Sequence, residues 1–453
     1  MNATLSFAAD AMNGALHGDD RTFEGVSTDS RSIKKGELFV ALSGPNYDGT
    51  EFVGQARAKR AAGAVVTSMT DADVAQIVVD DTRRALGQLG AAWRGRQSAT
   101  VVGITGSNGK TTLKEMVAAC LSTTAPTLAT EGNLNNDIGM PLMMLRIEES
   151  HRYAVLEMGA NHAGEIAYLT SLAQPSVVAI TNAAAAHLEG FGSVDGVAHS
   201  KAEILLGEPG PEIAVLNSDD EFYSYWMSLV EDIDVLSFGL SNDADIRADQ
   251  IEAGKGQTHF TLYLLDTTIE LTLPVVGMHN VRNACAAAAI ATALDVPPEK
   301  IKAALESVGP VAGRLLPLQG QNGTTLYDDS YNANPLSVIA AAEFLASLPG
   351  ASWFVLGDMA ELGDESIRLH HEVGDSIRAA GIDRLFTFGE LSRSAAEAFG
   401  EGASSYDELD TLIGDVGDGL SRETNVLVKG SRSMRMERVV DALRMPEELR
   451  KGA

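Results

Sequence analysis

Short apolar runs alternate with stretches of helical periodicity along the chain, and the character of the alternation changes with position. Over residues 1–80, strand patterns at Gly36–Leu42, Ala64–Thr67 and Ile77–Val79 surround one helical stretch, Phe52–Ala61. Residues 82–97, TRRALGQLGAAWRGRQ, predict a connecting helix. From Ala99 the apolar runs Thr100–Ile104, Tyr153–Glu157, Val177–Thr181 and Glu212–Leu216 are separated by helical segments, the first opening at Thr111. Strands separated by helices pair in parallel, so the spacing predicts an α/β doubly wound sheet with ligands beyond the carboxyl ends of its strands. Residues 277–294 form a further helix entered through His279-Asn280, and runs at Trp353–Leu356, Arg384–Phe388 and Val426–Val428 predict another α/β unit. Boundaries are expected near residues 85 and 313.

Composition narrows the class. With 453 residues the chain is long enough for about three domains. No apolar stretch approaches the length of a membrane span, and the start MNATLSFAADAMNG lacks a basic region followed by an apolar one. Cys120 and Cys285 lie in alanine-rich helical patterns without metal spacing, as small buried hydrophobes in a reducing compartment would. A cytoplasmic protein is expected. The net charge of −28, from 62 acidic and 34 basic residues, argues against a nucleic-acid or anionic-membrane surface. Any polyanionic ligand must therefore meet cations placed locally.

Such a placement exists. Residues 103–112, GITGSNGKTT, follow the run Ala99–Ile104 and lead into a helix. A strand delivering a glycine-rich turn into a helix cradles phosphate with backbone N–H groups and the helix N-terminus. Gly106, Ser107, Asn108, Gly109 and Thr112 would line it, Lys110 would reach the β/γ-phosphates, and the Thr111 hydroxyl would ligate Mg²⁺. The spacing departs from the strict P-loop pattern, with Gly103 one residue early and Ile104 where glycine is usual. Glu157 ends the run YAVLE, where a P-loop enzyme needs a further Mg²⁺ ligand. Asn182 follows a third strand, so three polar features converge on one crevice by topology.

Other segments stay ambiguous on residue type alone. His187 in TNAAAAHLEGFGS is a metal ligand or a merely structural histidine. Lys201 in DGVAHSKAEILLG is a solvated helix lysine unless it reacts with CO₂, when unprotonated, to give a carbamate with carboxylate-like oxygens. TEGNLNNDIGMP (130–141) carries the neutral amides Asn133, Asn135 and Asn136, able to orient phosphate oxygens or simply to form a turn. Asn280 and Asn283 share a helix face that suits a purine edge, while Asn280 also reads as a helix cap.

Taken in order, TGSNGKTT, GNLNNDIGMP, EMGANHAGEI, HLEGFGS with Lys201, GMHNVRNA, DDSYNANP (328–335), LGDMAELG (356–363) and KGSRSMRME (429–437) resemble the motifs of the Mur ligases. The nearest branch adds D-alanyl-D-alanine to a UDP-N-acetylmuramoyl tripeptide. STDSR (27–31) and GPNYDGTEF (44–52) are similar to that family's UDP-sugar domain, with Thr50 where histidine is usual. The resemblance implies three domains: a small N-terminal α/β domain (1–85) for the UDP-sugar, a central doubly wound P-loop domain (86–313) for ATP, and a C-terminal Rossmann-like domain (314–453) that brings the dipeptide and closes on ATP. It implies an amide ligation. The tripeptide carboxylate attacks the γ-phosphate of ATP, and the dipeptide amine then displaces phosphate from the acyl phosphate.

By the same resemblance, Thr111 and Glu157 would hold one Mg²⁺, and His187 with carbamylated Lys201 a second. Asn280 and Asn283 would face adenine, Arg314 would neutralise phosphate across a domain junction, and Asp329 would bind the ribose. Ser30, Arg31, Asn135, Asn136, Asn332, Lys429, Ser431 and Arg432 would contact the two substrates, although Ser30 and Arg31 also suit a closed turn and the last three a basic surface turn. A monomer is expected. Rival readings are another ATP-dependent ligase of the same superfamily, a partner-regulated P-loop NTPase, and a dinucleotide oxidoreductase. The last is weakened because no G-x-G-x-x-G follows a strand.

Overall fold

The computed structural model describes residues 1–44, 48–254 and 256–445, so residues 45–47 of the GPNYDGTEF segment lie outside the described residues. Three principal sheets follow one another along the chain. The first has five strands in the spatial order Ala15–His17, Gln76–Val78, Gly63–Val66, Leu38–Val40, Val26–Ser27, beside a small ribbon of Ala3–Thr4 with Thr22–Phe23. The expected strands near residues 36, 64 and 77 form its centre. The expected helix over Phe52–Ala61 is a tight turn at Gly49–Phe52 running into the helix Val53–Ala58.

The connecting helix, Thr82–Arg94, starts where the Asp81 carboxylate accepts the N–H groups of Arg83 and Arg84. Ala85, Leu86 and Leu89 pack into the N-terminal core, whereas Trp93 Nε1 donates to Ile147 O at 2.9 Å and Arg94 Nε to Ala173 O at 2.8 Å. One rigid rod therefore serves two domains, and residue 85 falls inside it.

The central sheet has nine strands, ordered Thr267–Leu273, Thr258–Leu264, Ile246–Ala253, Asp234–Gly239, Ile213–Asn217, Val177–Ile180, Thr100–Thr105, Tyr153–Glu157, Thr127–Ala129. It is parallel from Thr127–Ala129 across to Asp234–Gly239, as helix-separated strands require, and a brief parallel pairing over two residues joins Ile246–Ala253 to it without an intervening helix. Beyond that the chain makes an antiparallel meander that the alternating-element reading did not anticipate. Its local cue is alternation of period two: Phe260, Leu262 and Leu264 are buried, and a turn at Leu265-Asp266 replaces a crossover helix. The two faces of the sheet are covered separately. Val102 and Ile104 pack with the helices Lys110–Ser122 and Met278–Ala293, while Val101 and Leu156 pack toward Glu165–Ala173 and Val194–Ala202. The alanine run of Met278–Ala293 lets it lie close against Lys110–Ser122, and Cys120 and Cys285 are both fully buried. Burial pushes the Cys120 thiol up to about 12.

The third sheet has six strands in the order Leu316–Gln319, Thr325–Asp329, Thr424–Lys429, Ala351–Gly357, Arg384–Phe388, Ala403–Tyr406, parallel except for the first pair. The register sets Asp329 opposite Lys429 at adjacent strand ends. Among the described residues no helix is long and apolar enough to cross a membrane.

Candidate active site

The carboxyl ends of the central and third sheets face each other across a cavity of 930 Å³. The strand Thr100–Thr105 opens directly into the phosphate loop, and its two glycines have distinct duties. Gly106 sits at φ +143°, where an added Cβ would lie 1.8 Å from Thr181 Oγ1. Gly109, at φ +84°, caps the following helix and is pressed against Asn283, with Oδ1 only 2.6 Å from where a Cβ would be. No other residue type fits either position without displacing its neighbour. Asn182 ties the loop down: its carbonyl accepts Ser107 N at 2.9 Å and its Oδ1 accepts Asn108 N at 3.1 Å. Lys110 folds back so that Nζ donates to Gly106 O at 2.6 Å. Burial, with Arg314 nearby, holds the Lys110 pKa below its ordinary value, opposed by Glu157.

Thr111 Oγ1 donates to Glu157 Oε2 at 3.0 Å, and Asn135 Nδ2 donates to Glu157 Oε1 at 2.8 Å. The result is a compact group of hard oxygen donors on the cavity wall, the chemistry that suits Mg²⁺. Among the described residues there is no cluster of three or more histidine, cysteine or acidic side chains with metal-binding geometry. His187 adopts φ +53° and its Nδ1 pairs with Glu361 Oε2, itself at φ +62° on the third domain. Two left-handed, non-glycine residues thus meet across the domain junction, the kind of backbone strain that collects at functional sites. Burial lowers the His187 pKa, and Glu361 works against that shift.

Lys201 is 2% exposed and does not border the cavity; its Nζ lies 4.9 Å from the Phe191 ring centre. Desolvation first, and Lys110 second, bring its pKa down to about 7. A fraction of the amine is then neutral at physiological pH, as carbamate chemistry needs.

From the third domain, Arg314 Nη2 donates to Thr111 Oγ1 at 3.1 Å, with its guanidinium 4.5 Å from the Tyr331 ring centre. Asn334 Nδ2 donates to Asn108 Oδ1 at 2.8 Å, and Asn108 Nδ2 is a buried donor with no partner among the described residues. Asp329 and Lys429 form a buried ion pair, Nζ to Oδ2 2.6 Å, and Lys429 also donates to Asn332 O at 3.0 Å. Ser431 is buried, with Oγ accepting Ala360 N at 2.7 Å. Arg432 is mostly exposed at the rim, where it pairs with Glu437 at 3.4 Å.

The expected site residues divide accordingly. Ser107 to Thr111, Asn135, Asn136, Glu157, His187, Arg314 and the third-domain set all border one cavity, along with Asn133. Gly106 and Thr112 support the loop from outside it. Asn280 is not the helix cap, since Gly277 holds that position; its Nδ2 donates to Val276 O at 2.7 Å, and Asn283 Nδ2 donates to Asn280 Oδ1 at 3.4 Å. Both amides are buried behind Gly109, away from the cavity surface. Ser30 donates to Gln55 Oε1 at 2.5 Å and Arg31 pairs with Asp29 at 2.9 Å, neither of them on this cavity. Thr50 N donates to Asp48 Oδ1 at 3.0 Å, the carboxylate capping the turn.

Asn334, Glu361 and Tyr331 are site residues that the sequence does not single out, although they lie in DDSYNANP (328–335) and LGDMAELG (356–363). Their partners Asn108, His187 and Arg314 are more than 150 positions upstream at the first two and only 17 at the third, and no local pattern signals such pairing.

Family models match this chain in three consecutive stretches: Mur ligase family, catalytic domain, at residues 22–94; Mur ligase middle domain at 104–291; and Mur ligase, glutamate ligase domain, at 313–432. The UDP-N-acetylmuramoyl-tripeptide–D-alanyl-D-alanine ligase of Escherichia coli K12 is 44% identical over 450 residues, covering 98% of both chains. The Bacillus subtilis 168 enzyme of the same name is 34% identical, covering 97% of this chain and 98% of its own. Among solved structures, a crystal structure of MurF from Acinetobacter baumannii superposes with TM-score 0.92 at 36% identity, covering 97% and 98% of the two chains. MurF ligase from Thermotoga maritima in complex with ADP gives TM-score 0.82 at 27% identity, covering 95% and 99%. With its phosphate loop, Glu157 and third-domain arginine gathered on one cavity, and with full-length relatives of this kind, the chain belongs to the Mur ligase family.

Proposed function

We infer that this protein is an ATP-dependent ligase that joins D-alanyl-D-alanine to a UDP-N-acetylmuramoyl tripeptide in peptidoglycan precursor synthesis, releasing ADP and phosphate. The observation that carries the reading is the meeting of Arg314 with Thr111 at 3.1 Å, which sets a third-domain cation against the phosphate loop. A carboxylate attacking a γ-phosphate brings two anions together, so cations must surround the junction before reaction. Lys110 and Arg314 do this in a chain that is otherwise strongly acidic, whereas Lys429 on the far wall has its charge balanced by Asp329.

Thr111, Glu157 and the Asn135 amide that orients Glu157 fit one Mg²⁺; a second would be held by His187 on the cavity, with a carbamylated Lys201 acting from behind the cavity surface. The metal would supply charge neutralisation at the phosphates. The residues supply the rest: backbone N–H groups of Gly109 to Thr111 would bind phosphate, those of Ser107 and Asn108 being held by Asn182, while Asn334 fixes Asn108 in the loop and Ser431 holds the Ala360 turn at the cavity rim. Asn280 and Asn283 would support the adenine side from behind Gly109, and Asp329, paired with Lys429 on the cavity wall, would bind the ribose. Ser30 and Arg31 would belong to a UDP-sugar site in residues 1–85, with 86–313 holding ATP and 314–453 presenting the dipeptide. With nucleotide-activated substrates and ATP the reaction would run in the cytoplasm, and the enzyme would act as a monomer.

Coupled phosphate release tests this with ATP, Mg²⁺, tripeptide and dipeptide. Release that requires both substrates, with a product heavier by one dipeptide residue, is the expected result. ATP turnover indifferent to both would favour a switch-type NTPase.

A further inference from the structure

One stretch of the cavity wall is unexplained by ATP binding. It is formed by the N-terminal turn of Thr82–Arg94, the asparagine-rich loop and the start of Glu165–Ala173. Here Arg83 reaches across from the connecting helix to the central domain and pairs with Asp137, Nη2 to Oδ1 2.6 Å, with a second contact through Nε. Asp137 lies two positions from Asn135, whose amide holds Glu157. The capping of the next turn is done by Asn136, which accepts Gly139 N at 2.8 Å, so the Asp137 carboxylate is left to Arg83 alone among the described residues. The arginine is 57% exposed and the aspartate 27%. An ion pair this exposed contributes little to folding. Of the charged side chains on this wall, Glu165 is committed, its Oε2 accepting Asn161 N at 2.7 Å, and among the described residues Arg83 is its one cation.

We propose that Arg83 and Asp137 read the side chain of the tripeptide's third residue and select one that ends in both an ammonium and a carboxylate, as diaminopimelate does, over lysine. This rests on the ligase reading above. The third residue carries the reacting carboxyl, which must sit at the phosphate loop near Thr111 and Glu157, and its unbranched side chain extends away along the wall. A terminal carbon bearing both charges sets its carboxylate on the guanidinium fork and its ammonium on Asp137, so four alternating charges close a ring of pairs. A terminal ammonium alone reaches Asp137 only by crowding the Arg83 cation, which rejects lysine as well as failing to attract it.

The test is steady-state kinetics on the full-length enzyme with diaminopimelate and lysine tripeptides in parallel, for the wild type and for Arg83→Gln, Arg83→Ala and Asp137→Asn. The wild type should favour diaminopimelate by about tenfold or more in kcat/KM, mostly through KM. Both Arg83 variants should bring that ratio down toward one, and Asp137→Asn should raise KM for both tripeptides. Thermal melts of each variant report whether it folds. A wild type with no preference overturns the proposal, as does an Arg83 loss equal for both tripeptides, which would place the guanidinium on the glutamyl carboxylate they share. An enzyme inert toward both tripeptides while hydrolysing ATP overturns the ligase reading itself, a distinct failure.

Discussion

Lys201 shows how far a single residue's role depends on its surroundings. In sequence it is one lysine on a helix, and spacing gives no reason to separate it from a solvated one. In the fold it is 2% exposed, and burial with Lys110 nearby takes its pKa to about 7. The unfolded chain therefore holds a proton that the folded chain resists, and the difference costs stability at neutral pH and below. That cost fades as pH rises from about 7 toward the ordinary lysine value. Lys201→Met should accordingly raise the melting temperature by a few degrees at pH 7 or below, measured by calorimetry, while losing roughly a hundredfold or more in kcat. Lys201→Ala should lose activity likewise and regain part of it with added short carboxylates. Full activity in either variant would remove the carbamate from the mechanism.

At the scale of elements, the phosphate loop was legible in the sequence because its function is local: the end of a strand, three glycines, a lysine and paired threonines lie within residues 103–112. Gly106→Ala should add a Cβ 1.8 Å from Thr181 Oγ1 and force a residue into a conformation costing about 1–3 kcal/mol. The expected outcome is a folded protein without ATP-induced thermal stabilisation, read by melting with and without nucleotide. The turn carrying Glu361 was legible only as the motif LGDMAELG (356–363). What fixes it is His370, fully buried, whose Nε2 accepts Met359 N at 2.9 Å and whose Nδ1 donates to Ser366 O at 2.6 Å. Burial holds that imidazole neutral, with a pKa below its ordinary 6.5. The stability it contributes is complete above about 6.5 and is lost as pH falls through the lowered value. His370→Asn should flatten the acid side of the melting-temperature profile, and an unchanged profile would deny His370 this part. The antiparallel meander of Ile246–Leu273 was missed for a different reason: its strands alternate with period two, but helices set the expected rhythm of the domain around it.

For the whole molecule, the contacts Arg314–Thr111, Asn334–Asn108 and His187–Glu361 close the third domain on the second, and Leu188 packs against the cores of both. None of these pairings has a local signature, so the sequence disclosed Thr111, Asn108, His187 and Arg314 but neither Asn334 nor Glu361. Asn334→Ala should raise KM for ATP about fivefold, the worth of one ordinary hydrogen bond. X-ray scattering should show a smaller radius of gyration with an ATP analogue and tripeptide together than with neither; identical profiles would count against closure as part of the cycle. The central claim is that this junction drives a carboxylate onto the γ-phosphate. Tripeptide labelled with oxygen-18 in its terminal carboxylate tests it most directly, by mass analysis of the phosphate released. One labelled oxygen carried into phosphate, only when dipeptide is present to turn the enzyme over, is the result expected. Phosphate free of label alongside formed product would contradict the acyl-phosphate route and the role given to the assembled cations.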